Sequence, residues 1–172
     1  ENVVTYPTFL MKPKGELDKE GKGELLFLYR YGWWGNGDAV LKIYNCDTKI
    51  WSEKAVRFLK GMNLKPWTCN PYWNNPVFDS YGNLYLTYTW RWEKNKSGDF
   101  VNNSDICYLM TPNNGLDWYT SLGKQLNIPV IPINSEVVKG VSGNENLINQ
   151  TGCDIDSEGN VHVVYYANDK NG

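Results

Sequence analysis

The chain has 172 residues, with 17 Lys and Arg set against 19 Asp and Glu and a formal net charge of -2. That length allows a sizeable core, and the scattered, nearly balanced charge leaves no electrostatic footprint for nucleic acid or an anionic membrane surface. No apolar run approaches the ~20 residues of a membrane-spanning helix.

The first predicted strand is Val3 to Leu10, ending in a Lys-, Gly- and Asp-bearing loop from Lys12 to Lys22. A second strand, Leu25 to Tyr31, runs into the Gly-rich turn Gly32-Trp33-Trp34-Gly35-Asn36-Gly37-Asp38, whose glycines lack the spacing of a phosphate loop. Ala39 to Tyr44 is a third strand, and Ser52 to Lys60 reads either as a short outer strand or as one turn of helix. The same order then recurs. Pro71 to Phe78 is an entry strand, Leu84 to Trp92 a second, Glu93 to Asn103 a polar loop, and Ile106 to Met110 a third. A long connection, Thr120 to Asn146, leads to a last entry strand at Leu147–Ile155 and its partner at Val161–Tyr166.

One stretch organises this order. Asp79-Ser80-Tyr81-Gly82-Asn83 followed by an apolar run returns as Asp156-Ser157-Glu158-Gly159-Asn160, and more faintly at Lys22-Gly23-Glu24. Asp and Ser hydrogen-bond the turn backbone and Gly takes its positive φ; the Leu-, Val- and Tyr-rich run suits a pleated, half-buried strand. Repeated strands with almost no helical period predict an all-β protein built of four-stranded antiparallel β-propeller blades. The units are 3–68, 69–145 and an incomplete 146–172, about two and a half blades, as expected of a piece of a longer chain. The segment Thr111-Pro112-Asn113-Asn114-Gly115-Leu116-Asp117-Trp118 fits the outline of an Asp-box, a hairpin closed by side-chain to backbone hydrogen bonds over a buried Trp.

The chain holds 8 Trp and 12 Tyr in a polar background, rings that either pack between blades or stack on sugars. Cys46, Cys69, Cys107 and Cys153 have no metal-like spacing and read as buried free thiols, with a disulfide as the alternative. No metal site is expected, and the sequence names no cofactor.

The succession Thr5-Tyr6-Pro7-x-Phe9, Leu26-x-x-Tyr29-Arg30, Gly35-Asn36-Gly37, Asn74-x-Pro76-Val77-x-Asp79, Thr89-Trp90-Arg91 and Leu147-Ile148-Asn149-Gln150 resembles the BNR repeat-containing family. The resemblance covers essentially the whole chain. It implies a propeller, seven-bladed as in the ulvan-cleaving polysaccharide lyases, a secreted or periplasmic setting, and a polysaccharide or oligosaccharide partner beside the remaining blades of the same chain. Where the family pattern often has Asn-His-Asp, this chain has Asn103-Ser104-Asp105. With only Arg30, Arg57 and Arg91, it also lacks the arginine block of a sialidase.

Elimination from a uronate needs a cation to neutralise the carboxylate and a base for the α-proton. Arg30 and Arg91 each follow an aromatic run and are expected near one rim, where guanidiniums suit carboxylate or sulfate; an ion pair between blades is the alternative. Tyr6 and Tyr72 head entry strands and are candidate bases or hydroxyl donors. Trp33, Trp34 and Trp73 are candidates for stacking on sugar rings, and Asn36, Asn74, Asn103, Asn149 and Gln150 for binding sugar hydroxyls. The only histidine, His162, falls where Tyr85 and Leu26 fall in the other copies and is read as structural. The function expected is action on an acidic, uronate-containing polysaccharide by lyase or glycoside hydrolase chemistry, with a non-catalytic glycan-binding or scaffolding propeller as the alternative.

Overall fold

Two antiparallel sheets pack face to face in the computed structural model, which describes residues 3–12, 23–93, 103–149 and 152–168. The first holds β1 (Val4–Met11), β2 (Glu24–Trp33), β3 (Asn36–Asn45) and β4 (Ile50–Trp51) in that order, with β5 (Val56–Lys60) also on β3. The second holds β6 (Cys69–Trp73), β7 (Val77–Phe78), β8 (Leu84–Trp92), β9 (Asn103–Thr111), β10 (Trp118–Tyr119), β11 (Gln125–Leu126) and β12 (Glu136–Lys139). Its order is β11-β10-β9-β8-β6, with β7 on β8 and β12 on β9. A two-stranded sheet of β13 (Gly152–Ile155) and β14 (Val161–Val164) follows. Among the described residues the only helical turns are two three-residue 3-10 segments, at Pro132–Asn134 and Gly143–Glu145. The protein is all-β.

Strand alternation explains the main core. Leu26 and Leu28 leave β2 on the face turned toward the second sheet, and Leu84, Leu86, Tyr88 and Trp90 leave β8 to meet them, with Leu41, Phe58 and Trp118 between. Each of these large side chains contributes roughly 1.5–3 kcal/mol by burial, so this contact dominates the packing. A smaller cluster of Ile106, Val141 and Leu147 lies on the other side of β9.

The repeated turn is matched atom for atom. Asp79 Oδ1 accepts from the backbone N–H groups of Tyr81 and Asn83, while its Oδ2 takes Asn83 Nδ2 and the Tyr85 hydroxyl. Asp156 does the same with Glu158, Asn160 and Asn160 Nδ2, and His162 Nε2 lies 2.8 Å from its Oδ2 where the tyrosine stood. His162 is a turn clasp. The bond to its ring, followed by those from Asn160, holds the Asp156 carboxyl well below the usual range. At 111–118, Thr111 Oγ1 accepts from Gly115 N, Asn113 Oδ1 accepts from Asp117 N, and the buried Trp118 indole donates to Gly115 O. Asn114 and Gly115, at φ 58 and 83, supply the left-handed bend. All four cysteines are free.

Of the two readings of Ser52 to Lys60, the strand is the one found, as β5 over Val56–Lys60 on the edge of β3. Several expectations need correction. Pro71 to Phe78 is two strands, β6 and β7, broken at Asn74-Asn75-Pro76. Asn103 opens β9 instead of closing a loop. Within Leu147–Ile155, where 150 and 151 lie outside the described residues, Gly152–Ile155 is strand, and Leu147 forms a single bridge to Asn103. The connection from Thr120 to Asn146 carries β11, and β12, which adds to β9.

That connection is pinned by a residue the sequence did not mark. Ser135 Oγ accepts from both Tyr88 Oη and Trp90 Nε1 at 3.0 Å and donates to Ile131 O at 3.0 Å, which uses all its capacity. Ser135→Ala strands two donors on fully buried rings, at about 1–3 kcal/mol each. We expect a loss of about 2–4 kcal/mol in urea unfolding at an unchanged m-value. A loss below about 0.5 kcal/mol would mean that the two rings find other acceptors.

Candidate functional site

The end of β2 nearest the β2–β3 hairpin gathers three of the four predicted catalytic side chains. Arg30 sits opposite Thr5 of β1 and Ala39 of β3, and its parity with Leu26 and Leu28 turns it toward the second sheet. Its guanidinium lies 4.7 Å from the ring centre of Tyr6 and 5.4 Å from that of Tyr72, which arrives from β6. The two phenols meet edge to face at 5.3 Å. Tyr6 reaches this place because β1 bulges between Thr5 and Thr8, with Tyr6 itself at φ 54. Thr5 Oγ1 accepts from Arg30 Nε at 2.8 Å, a contact that sequence reading missed although Thr5 stands in the same motif block.

The electrostatics of this cluster are unusual. Arg30 is 5% exposed, and its Nη1 is buried with no hydrogen-bond partner. None of the ion pairs among the described residues involves it; those are Arg57 with Asp38 and His162 with Asp156. A buried cation costs stability unless paired, and here the aromatic faces supply only part of the compensation. Burial first, and then neighbouring Tyr72, push the Tyr6 hydroxyl up, with Arg30 working the other way. Tyr6 is therefore held as a neutral donor.

Arg91 does not join this cluster. It lies in β8 opposite Asn70 and Asn103, half-buried, and alternates with core-facing Trp90, so it leaves the face of the second sheet turned away from the first. The register puts the two guanidiniums in different places, Arg30 between the two sheets and Arg91 on the far face of the second. The other candidates separate in the same way. Trp33 and Trp34 stand at the tip of the hairpin, 51% and 48% exposed. Asn36 exchanges side-chain bonds with Asn63. Trp73 is 3% exposed and packs in the main core, which leaves no face for a sugar. Asn74 donates to Thr87 Oγ1 at 2.7 Å, and Asn103 Nδ2 donates to Leu147 O and Asn149 Oδ1, so both tie strands together. Gln150 lies outside the described residues. Among them no cluster of His, Cys, Asp and Glu is arranged to hold a metal ion, and no helix is long and apolar enough to cross a membrane.

The chain matches the BNR repeat-containing family over residues 1–172. No curated protein sequence matches it. Its fold is similar to that of a family 25 polysaccharide lyase, an ulvan lyase, with TM-score 0.74, 16% identity, and coverage of 95% of this chain and 37% of that one. The same lyase bound to -[GlcA(1-4)Rha3S]- superposes at TM-score 0.70 and 16% identity, with the same coverage. The polysaccharide lyase Uly1 gives 0.74 at 15% identity, covering 95% of this chain and 34% of its own. The chain thus spans little more than a third of the solved structures it resembles.

Proposed function

The chain belongs to the BNR repeat-containing family, and from that premise we propose that it is part of a secreted β-propeller that recognises an acidic, uronate-containing polysaccharide. In this reading the first and second sheets are successive blades, β13 and β14 begin a third, and further blades of the same protein close the ring. The observation that carries it is the unpartnered Nη1 of buried Arg30. A guanidinium bound to Thr5 through Nε, with a buried Nη1 that has no partner, keeps hydrogen-bonding capacity for an anionic group that reaches it. In this reading a uronate carboxylate takes up that capacity, with Tyr6 and Tyr72, whose rings flank the guanidinium, as further donors. The glycan -[GlcA(1-4)Rha3S]-, bound by the lyase of similar fold, is the natural first probe.

Within that reading, the chemistry proposed is cleavage. Arg30 neutralises the carboxylate, and the Tyr72 oxygen takes the α-proton as its own hydroxyl proton passes to the leaving oxygen, so that the C–O bond breaks, the tyrosine is regenerated and an unsaturated uronate is left. The non-catalytic alternative has one observation in its favour: burial raises the Tyr6 hydroxyl and removes it as a ready base, and His162 is engaged by Asp156. Incubating the full-length protein with uronate-containing polysaccharides separates the readings. New absorbance from unsaturated uronate means a lyase, new reducing ends without it mean a hydrolase, and binding with neither means a glycan-binding propeller. Failure to bind any such polymer would sink the proposal.

A further inference from the structure

Arg30 Nη1 is buried, so an anion reaches it only when something moves, and the walls around the guanidinium are held with unequal firmness. Thr5 Oγ1 accepts from Nε at 2.8 Å. The stem lies so close to Gly37 that a Cβ there would sit 3.1 Å from Arg30 Cγ and Cδ. Tyr72 is 6% exposed and lies inside β6, paired with Thr89 of β8. Tyr6 is the loose wall. Its ring covers the guanidinium at 4.7 Å, yet the residue is 40% exposed. Thr5 pairs with Arg30 and Thr8 with Leu28, so Tyr6 and Pro7 bulge together opposite Tyr29 and neither has a partner in β2. Pro7 brings no N–H to the ladder, and β1 is an edge of its sheet among the described residues. Tyr6 itself stands at φ 54, where a β-carbon is unwelcome.

We propose that Tyr6 is a gate on the Arg30 site: its ring shields the guanidinium when no ligand is bound and swings aside on its bulge to admit an anionic group. Opening breaks no strand pairing of Tyr6, because the bulge has already taken it out of register. The exchange favours the ligand. The ring holds the cation only through its π face, whereas a carboxylate or sulfate brings charge-assisted hydrogen bonds. Tyr72, held within β6, stays in place as the gate moves. The open form is the minor one in the free protein, and apparent affinity falls by its population. The anionic ligand rests on the glycan reading above; the shielding of Arg30 by a movable ring does not.

The test follows arginine modification by phenylglyoxal in the full-length protein, mapped by mass spectrometry of its peptides, for wild type, Tyr6→Ala and Tyr6→Phe. In wild type we expect Arg30 to react far more slowly than Arg57, whose side chain is 48% exposed. Tyr6→Ala is expected to raise the Arg30 rate about tenfold or more. Tyr6→Phe keeps the ring and should leave that rate near wild type. The thiols of Cys69 and Cys107, both fully buried, should stay unreactive toward a disulfide reagent in all three forms. An Arg30 that reacts as fast as Arg57 in wild type overturns the gate, and so does an unchanged Arg30 rate in Tyr6→Ala. A rise shared with the two thiols is a loosened fold and overturns it as well. Stopped-flow binding of the -[GlcA(1-4)Rha3S]- disaccharide adds the ligand: its association rate constant should rise about tenfold in Tyr6→Ala, and an unchanged constant overturns the gate. A wild type that binds no such glycan brings down the Arg30 reading, and the modification rates then decide the gate by themselves.

Discussion

Arg30→Met is expected to cut turnover of a uronate-containing polysaccharide, or its affinity if the protein only binds, by about 10²–10³-fold without weakening the fold. The rate figure is the usual cost of removing one donor aimed at a developing negative charge, about 2.7–4 kcal/mol. The stability half of the expectation discriminates more sharply. A guanidinium that held the sheets together would be paired, and breaking a buried pair typically costs 3–5 kcal/mol. Arg30 has an unpartnered Nη1 and no ion pair among the described residues. Replacing it by an apolar chain of similar length is therefore expected to leave unfolding free energy within about 1 kcal/mol of wild type, or to raise it. Arg30→Lys keeps the charge but loses the planar fork, and is expected to recover only part of the activity. Chemical denaturation beside a depolymerisation assay checks both halves. A Met variant destabilised by 3 kcal/mol or more would make Arg30 a structural residue and remove the basis of the site.

Trp118→Ala is expected to be the most destabilising single change in the described residues, at about 3–5 kcal/mol. Trp118 is fully buried and stacks on Phe58 at 4.6 Å and 11°. Phe58 belongs to the first sheet and Trp118 to the second, so the pair spans the main interface. The indole also closes its own turn through Gly115 O, and Leu41 packs against that turn closely enough that a Cβ on Gly115 would lie 2.6 Å from it. Trp118→Phe retains the stack but leaves Gly115 O without its donor, and about 1–2 kcal/mol should be lost. Urea midpoints of the two variants give the test, and near-equal values would assign the whole effect to the indole N–H.

Much of this was legible in the sequence, for reasons that particular residues make plain. Leu84 to Trp92 and Leu25 to Tyr31 alternate and follow Gly-bearing turns, and they are strands in the structure. Pro71 lies inside β6 without breaking it because β6 is the edge of its sheet, where a missing N–H costs little. What could not be read was pairing at a distance. β12 is four residues long and adds to β9 across the whole connection, and the Ser135 clasp depends on that docking. The site shows the same division. Arg30 stood out by following an aromatic run, but its meeting with Tyr72 depends on how the two sheets stack. Arg91 follows a similar run one sheet later. Counted from their turn glycines, Arg30 and Arg91 have the same parity, and so they face equivalent sides of successive sheets. Equivalent sides of successive sheets open into different interfaces. A repeat that places residues alike within each unit thereby keeps them apart in space.

The Arg30 cluster draws one phenol from its own sheet and the other, Tyr72, from the next. Any ligand held there engages both sheets at once and binds the docked arrangement better than the separated one. Saturating ligand then raises the free energy of parting the sheets by RT ln(1 + [L]/Kd), about 2.7 kcal/mol at a hundredfold excess over Kd. A ligand bound there would act as a mechanical staple across the seam, slowing amide hydrogen exchange in β2 and β6 together.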